Sequence, residues 1–324
     1  MRDWSIIIPT RNEEAHIGLC LTSIRDLEWE QEAVEVIVVD NGSVDRTLAI
    51  ANSYSQLLNI RVISMPQGRV GGLRNAGARL ASGKFLAFLD ADCVVEPLWL
   101  QHADGVLRKR PFAITGSNYV LPLTAGWPAR IWHARFQSGR TGEVSYLPGG
   151  NLLISRPLFW ELGGFDPCLS SNEDSQFCTR ARAAGIPVIA FPELAVTHLG
   201  AEKSLAHFVR RQIWHGSNVV NRAGLKGNAR AIALATYTLF CFLFICASAL
   251  ILQPAFTFAG LLAIIFPAVS LAFFGCPRTF CFKNMPRLIF LLVTYGMVRA
   301  SVLPVALFRA VRSTSMAAIS GMDD

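Results

Sequence analysis

Asp90-Ala91-Asp92 stands where an apolar run, Phe85 to Leu89, comes to an end. Two carboxylates at the mouth of a buried strand repel each other unless a cation is held near them. Hard oxygen ligands suit Mg²⁺ or Mn²⁺, and either ion can also hold a diphosphate. The plainer reading is a cap for a helix starting near Glu96-Pro97. Glu173-Asp174 opens a predicted helix, where carboxylates complement the helix dipole without any further role. Functionally, one of the two would be a general base that deprotonates an acceptor hydroxyl. His198 closes a strand between Thr197 and Leu199-Gly200, as a structural histidine or as a metal ligand. Gly68-Arg69 and Gly71-Gly72-Leu73-Arg74-Asn75 precede a helix. They read either as close backbone approach with phosphate-pairing arginines or as an ordinary helix start. Their spacing fits neither a Rossmann fingerprint nor a Walker loop, so dinucleotide and kinase-type readings fall.

The elements that must position these residues follow from periodicity. Trp4 to Ile8 reads as a buried strand stopped by Pro9, and Asn12 as the cap of a helix to about Leu27, with Ile17, Leu21 and Ile24 on one face. Val34 to Val39 is a second strand, Asp40-Asn41-Gly42-Ser43 a turn, and Ser43 the cap of the next helix. Arg61 to Ser64 and Phe85 to Leu89 are further strands around a helix from Gly72 to Ala81. This alternation predicts an α/β fold with a parallel, doubly wound sheet. Ligands bind such sheets at the carboxyl ends of the strands. Thr10, Glu13, Asp40, Asp90 and Asp92 all fall on that rim. Downstream, the pattern predicts a strand within Ala113 to Val120, a polar loop from Ser138 to Gly149 and a strand from Leu152 to Ser155. Helices follow over Arg156 to Leu162 and Glu173 to Ala184, and a last strand over Ala195 to His198.

Hydrophobic residues make up 52% of the chain, but they concentrate after Ala231. That distribution divides the chain into residues 1–225, a soluble domain carrying the residues above, and 226–324, a membrane region with apolar segments at about 231–252, 255–274 and 288–308. The first two are charge-free and long enough for a bilayer core of roughly 30 Å. The third contains Arg299 and Pro304, so it either crosses or lies as a re-entrant or interfacial segment. Arg210, Arg211, Arg222, Lys226 and Arg230 precede the first segment, and Arg278, Lys283 and Arg287 follow the second. Basic flanks place both ends of that hairpin, and the soluble domain, on the cytoplasmic side of the inner (plasma) membrane. The net charge of +7 therefore reads as membrane anchoring rather than nucleic-acid binding. Eight cysteines form no paired framework, as expected of reduced cytosolic thiols. Ile6-Ile7-Ile8 is too short for a signal peptide.

Taken in order, Pro9-Thr10-Arg11-Asn12-Glu13, Val38-Val39-Asp40-Asn41-Gly42-Ser43-Val44-Asp45, Arg74-Asn75-Ala76-Gly77 with Phe88-Leu89-Asp90-Ala91-Asp92, and Gly163-Gly164-Phe165-Asp166 with Glu173-Asp174 resemble the family 2 glycosyltransferases of the GT-A fold. The resemblance runs from about Ile6 to His198. It implies a Rossmann-like nucleotide-sugar-binding domain followed by C-terminal transmembrane helices. It also implies that Thr10, Glu13 and Asp40 hold the nucleoside, that Arg69 and Arg74 lie near the donor, and that Asp90 sits by ribose or metal. Asp92 and His198 would bind Mg²⁺ or Mn²⁺, Asn151 would face the donor sugar, and Asp174, beside Glu173, would be the catalytic base. The reaction implied is inverting transfer from a nucleotide diphosphate sugar to a hydroxyl of a saccharide or lipid-linked acceptor. Arg211-Gln212-Ile213-Trp214-His215 does not match the Gln-x-x-Arg-Trp motif of processive synthases, which argues against a polymerase. A polyprenyl-phosphate acceptor would need no base, so Glu173-Asp174 favours a hydroxyl. The rival from another class is a nucleotide-binding transport or scaffold protein, disfavoured because Arg299 is the lone charge inside the apolar segments.

Overall fold

The computed structural model describes residues 2–134, 141–216, 229–251, 254–274 and 282–319. The chain forms two compact units, Met1–Leu123 with Gly139–Ala201, and Thr124–Ser138 with Glu202–Asp324.

The first unit is built on an eight-stranded sheet of order β3-β2-β1-β4-β8-β6-β9-β7. Its strands are β1 (Trp4–Thr10), β2 (Val34–Asp40), β3 (Ile60–Ser64), β4 (Phe85–Leu89), β6 (Ile114–Gly116), β7 (Gly142–Glu143), β8 (Asn151–Ser155) and β9 (Val188–Ala190). A separate two-stranded sheet pairs β5 (Cys93–Val94) with β10 (Thr197–His198). Alternate residues of β1 feed two cores, Trp4, Ile6 and Ile8 on one face and Ile7 on the other. Burial on both faces explains the unbroken apolar runs of β1, β2 and β4.

The four strands whose alternation with helices implied a parallel sheet, β3-β2-β1-β4, are parallel, and the sheet is mixed beyond them. The strand β8 fills the slot between β4 and β6 and runs antiparallel to both. Short apolar strands carry no signal of direction, so composition could not distinguish the two cases. The reversal matters for chemistry. It brings the amino end of β8 to the rim where β4 delivers Asp90, with Asn151 opposite Leu89.

Helix α1 (Ile17–Arg25) buries Ile17, Leu21 and Ile24 as expected, but Asn12 does not cap it. Asn12 is left-handed, with φ 55°, and its Oδ1 accepts the Val44 amide at 2.9 Å. Ser43 Oγ accepts the Asn12 amide at 2.9 Å instead of capping α2 (Thr47–Ser53). Two local caps have become ties between two rim loops. The remaining helices of this unit are α3 (Val70–Leu80), α4 (Trp99–Lys109), α6 (Arg156–Glu161) and α7 (Glu173–Ala183).

The second unit is helical over its described residues: α5 (Trp127–Ala134), α8 (Leu205–Gly216), α9 (Ala229–Leu250), α10 (Pro254–Phe274) and α11 (Met285–Ile319). Three stretches, Ala233–Leu250, Ala255–Phe273 and Phe282–Pro304, are long and apolar enough to cross a membrane. The third predicted segment therefore lies inside one continuous helix that accommodates Pro304. Ile131, Phe208, Leu288 and Leu291 form this unit's core, while Phe240, Leu243 and Phe266 remain exposed on the apolar helices.

Candidate active site

β4 ends at Leu89, and the Cys93 amide donates to the Asp90 carbonyl at 3.0 Å, turning the chain into β5. In the β5–β10 pair His198 lies opposite Cys93, and the Leu199 amide donates to the Asp92 carbonyl at 2.8 Å. These backbone ties set His198 Nε2 3.3 Å from Asp92 Oδ2. Gly200 completes the cradle, because a Cβ there would collide with Asp92 Oδ2. Helix capping does not account for the aspartates: α4 starts at Trp99, with Leu98 at its N-cap and no side-chain cap bond. Among the described residues no cluster of three or more His, Cys, Asp or Glu side chains forms a metal cage.

Arg74 joins this acidic loop to the opening of α7. It is only 3% exposed. One terminal nitrogen donates to Asp90 Oδ1 at 2.7 Å and the other to Glu173 Oε1. Bidentate engagement by two carboxylates raises the Arg74 pKa despite its burial. Tyr119, which no motif had flagged, donates its hydroxyl to Asp90 Oδ2 at 3.2 Å and lays its ring 4.6 Å from the His198 ring. It lies just after β6, at the end of the stretch read as a strand, where Val120 pairs with Thr197. A Cβ on Gly150 would strike both Asp90 and the Tyr119 hydroxyl, so only glycine lets β8 enter so close to the acidic loop.

Glu173 and Asp174 occupy the first turn of α7 but meet different surroundings. Glu173 is buried against Arg74; burial and the adjacent Asp174 charge push its carboxyl up to about 7, with Arg74 opposing. Asp174 Oδ2 accepts the Gly149 amide at 2.9 Å and its Oδ1 the Ser175 amide at 2.7 Å. Burial still holds its carboxyl above the ordinary aspartate range.

The other predicted residues divide. Glu13 belongs to the same electrostatic cluster: burial raises its carboxyl, Asp92 and Asp90 add to the rise, and a 2.8 Å bond to His16 opposes it. Asp40 is fully buried, and its carboxylate accepts the Gly42 and Ser43 amides and the Ser43 hydroxyl, so it organises its own turn. Thr10 is buried beside it, its carbonyl accepting the Asn41 amide at 2.9 Å. Arg69 is exposed and donates to the Cys168 carbonyl. Gly71 is pressed against the Asp166 carbonyl, so the glycines at the start of α3 serve packing between α3 and the Phe165-Asp166 turn. Asn151 is fully buried, and its Nδ2 donates to the carbonyls of Ser117 and Leu194 at 3.1 and 2.7 Å.

Residues 5–163 match the family model for glycosyl transferase family 2. That stretch, about half of the chain, is a glycosyl transferase family 2 domain. Glycosyltransferase AglE of Haloferax volcanii is 30% identical over 188 residues, 56% of this chain and 62% of that one. Validoxylamine A glucosyltransferase of Streptomyces hygroscopicus subsp. limoneus is 37% identical over 57% of this chain and 49% of its own. The chain thus spans about half to three-fifths of the length of these relatives. Among solved structures, mannosyltransferase PcManGT from Pyrobaculum calidifontis, in complex with GDP-Man and Mn²⁺, aligns with a TM-score of 0.59 at 17% identity, over 96% of this chain and 88% of that one. Staphylococcus aureus TarS residues 1–349 align with a TM-score of 0.53 at 20% identity, over 93% and 90%. Both likenesses show the GT-A fold.

Proposed function

We propose that this protein is a membrane-anchored, inverting glycosyltransferase that moves a sugar from a nucleotide diphosphate donor to a hydroxyl of a saccharide or lipid-linked acceptor. The observation that carries the reading is Arg74, which ties the Asp90 loop, beside Asp92 and His198, to the Glu173-Asp174 turn.

Asp92 and His198 would hold Mg²⁺ or Mn²⁺. The fit rests on their convergence to 3.3 Å, the cradle closed by Gly200, and a donor set of carboxylate oxygen and imidazole nitrogen that suits Mn²⁺. When bound, such an ion neutralises charge on the departing diphosphate. The relatives' solved complexes contain UDP-GlcNAc or GDP-Man, which supports a nucleotide-sugar donor here.

Asp174 would take the acceptor's hydroxyl proton. The hydroxyl oxygen bonds to the anomeric carbon as the bond from that carbon to the diphosphate oxygen breaks, and the nucleoside diphosphate leaves with the electron pair. One displacement inverts the carbon. The Gly149 and Ser175 amides fix the orientation of the Asp174 carboxylate, and burial raises its affinity for the proton. Glu173 and Arg74 hold the loop geometry. The basic flanks of the apolar helices support a cytoplasmic catalytic unit at the inner membrane. The test is a panel of nucleotide sugars offered to purified protein with membrane-extracted acceptors. The expected result is nucleoside diphosphate release with one donor; donor binding without release would support the nucleotide-binding scaffold instead.

A further inference from the structure

Arg299 is a charged residue inside the third apolar helix, in the stretch Phe282–Pro304, and it is only 9% exposed. Its Nη2 donates to Gln212 Oε1 of α8 at 3.4 Å, and its guanidinium carbon lies 4.9 Å from the Tyr295 ring centroid. Its Nε and Nη1 have no hydrogen-bond partner among the described residues. Glu202 is paired with Arg211 at 3.5 Å, and no ion pair forms on Arg299 among the described residues. His215 supplies no counter-charge: burial, Arg211 and Arg299 push its pKa down to about 3, so it stays neutral. Among the described residues, then, this buried arginine fork has two nitrogens without a geometric hydrogen-bond partner and no carboxylate paired with it.

Such a group is costly to bury unless something pairs with it. A guanidinium fork matches the oxygens of a phosphate. Its location selects how that phosphate arrives. α5 and α8 pack on α11 and carry Trp127, Trp132 and Trp214, residues typical of a membrane boundary. Ile213 and Trp214 stand 42% and 51% exposed on α8. An anion reaching an arginine set among these side chains fits best when it is carried by an apolar chain.

We propose that Arg299, assisted by Gln212 and Tyr295, binds the phosphate of a phosphorylated membrane lipid. This deepens the lipid-linked acceptor reading and rests on it for any part in transfer; the binding itself does not. The probe is dodecyl phosphate, compared with dodecanol and with inorganic phosphate, offered to the full-length protein in neutral detergent and read by native mass spectrometry and melting temperature. Wild-type protein should retain dodecyl phosphate and melt higher with it, and should do neither with dodecanol or inorganic phosphate. Arg299→Met should bind at least about tenfold more weakly, and Arg299→Lys should fall between. Equal binding of dodecanol, equal stabilisation by inorganic phosphate, or undiminished binding by Arg299→Met would each overturn the proposal. Should Arg299→Met fail to fold, Gln212→Leu replaces it, with weakened binding expected and unchanged binding contradicting. Protein carrying Asp174→Asn should bind dodecyl phosphate as wild type does, which separates this site's failure from failure of the transfer reading.

Discussion

His198 Nε2 lies 3.3 Å from Asp92 Oδ2 because two backbone pairings, His198 with Cys93 and the Leu199 amide with the Asp92 carbonyl, force the two loops together. The pair is buried on the histidine side and partly open on the aspartate side, as a site shared with a ligand would be. Asp92→Asn and His198→Ala should each abolish the stabilisation that donor plus Mn²⁺ gives to wild-type protein, while leaving the unliganded melting temperature nearly unchanged. Thermal shift with and without excess chelator reads this directly. Full activity of wild-type protein in chelator would remove the metal from the mechanism.

Gly200 allows a test that touches no donor atom. A Cβ there would enter the space held by the Asp92 carboxylate. Gly200→Ala should therefore lower metal affinity and transfer together, with the sheet intact by circular dichroism. A variant with wild-type metal affinity would show that Asp92 moves freely and that the cradle is incidental.

The parallel strands β1, β2, β3 and β4 and the three apolar helices were legible because period and length alone encode them. The direction of β8 was not, since its three apolar residues, Leu152 to Ile154, read the same either way. Asn12 and Ser43 were misread as caps because cap chemistry and loop-to-loop ties use the same side-chain oxygens; only the fold brings the loops of β1 and β2 together. The rim position of Asp90 and Asp92 followed from the end of an apolar run. Tyr119 falls within a predicted strand, but nothing in that pattern points to Asp90, which it meets across 29 residues only once the chain folds. The different surroundings of Glu173 and Asp174 were also hidden, since Arg74 reaches Glu173, and the Gly149 amide reaches Asp174, across large sequence separations.

Membrane orientation gives a prediction from charge. Cys276 and Cys281 fall in the segment 275–281, outside the described residues, between two apolar helices and beside Arg278, Lys283 and Arg287. An impermeant thiol reagent should label them only after the cytoplasmic face is opened. Labelling in intact cells would reverse the orientation.

Glu173 predicts a pH effect. Its carboxyl is raised from 4.5 to about 7 by burial and by Asp174, so the folded protein holds that proton longer than the unfolded chain does. The stability it contributes is full below the unfolded value and is lost as pH rises from 4.5 through about 7. Asp174 must be ionised to act, and the two carboxyls titrate together. Activity should therefore fall as pH drops through a limb above the ordinary carboxylate range. Glu173→Gln removes the like charge, so the limb should move to lower pH and the stability slope should flatten. A limb that stays in place in the variant would uncouple Glu173 from the base.

Asp174 itself carries the sharpest test, because its two readings differ in what they leave intact. As the base, it acts on the acceptor hydroxyl, so its loss should spare donor binding and remove transfer. General-base catalysis contributes roughly a hundred- to ten-thousand-fold in rate. Asp174→Asn keeps the size of the side chain and can still accept the Gly149 amide through its carbonyl oxygen, so the start of α7 should persist. A purely helix-capping Asp174 predicts the reverse, a stability loss of about 1 kcal/mol with turnover largely kept. Donor affinity, turnover and melting temperature measured on the same folded variant separate the two. Turnover within a fewfold of wild type would return the residue to a helix-capping role and reopen a phosphate acceptor, which is already ionised and needs no base.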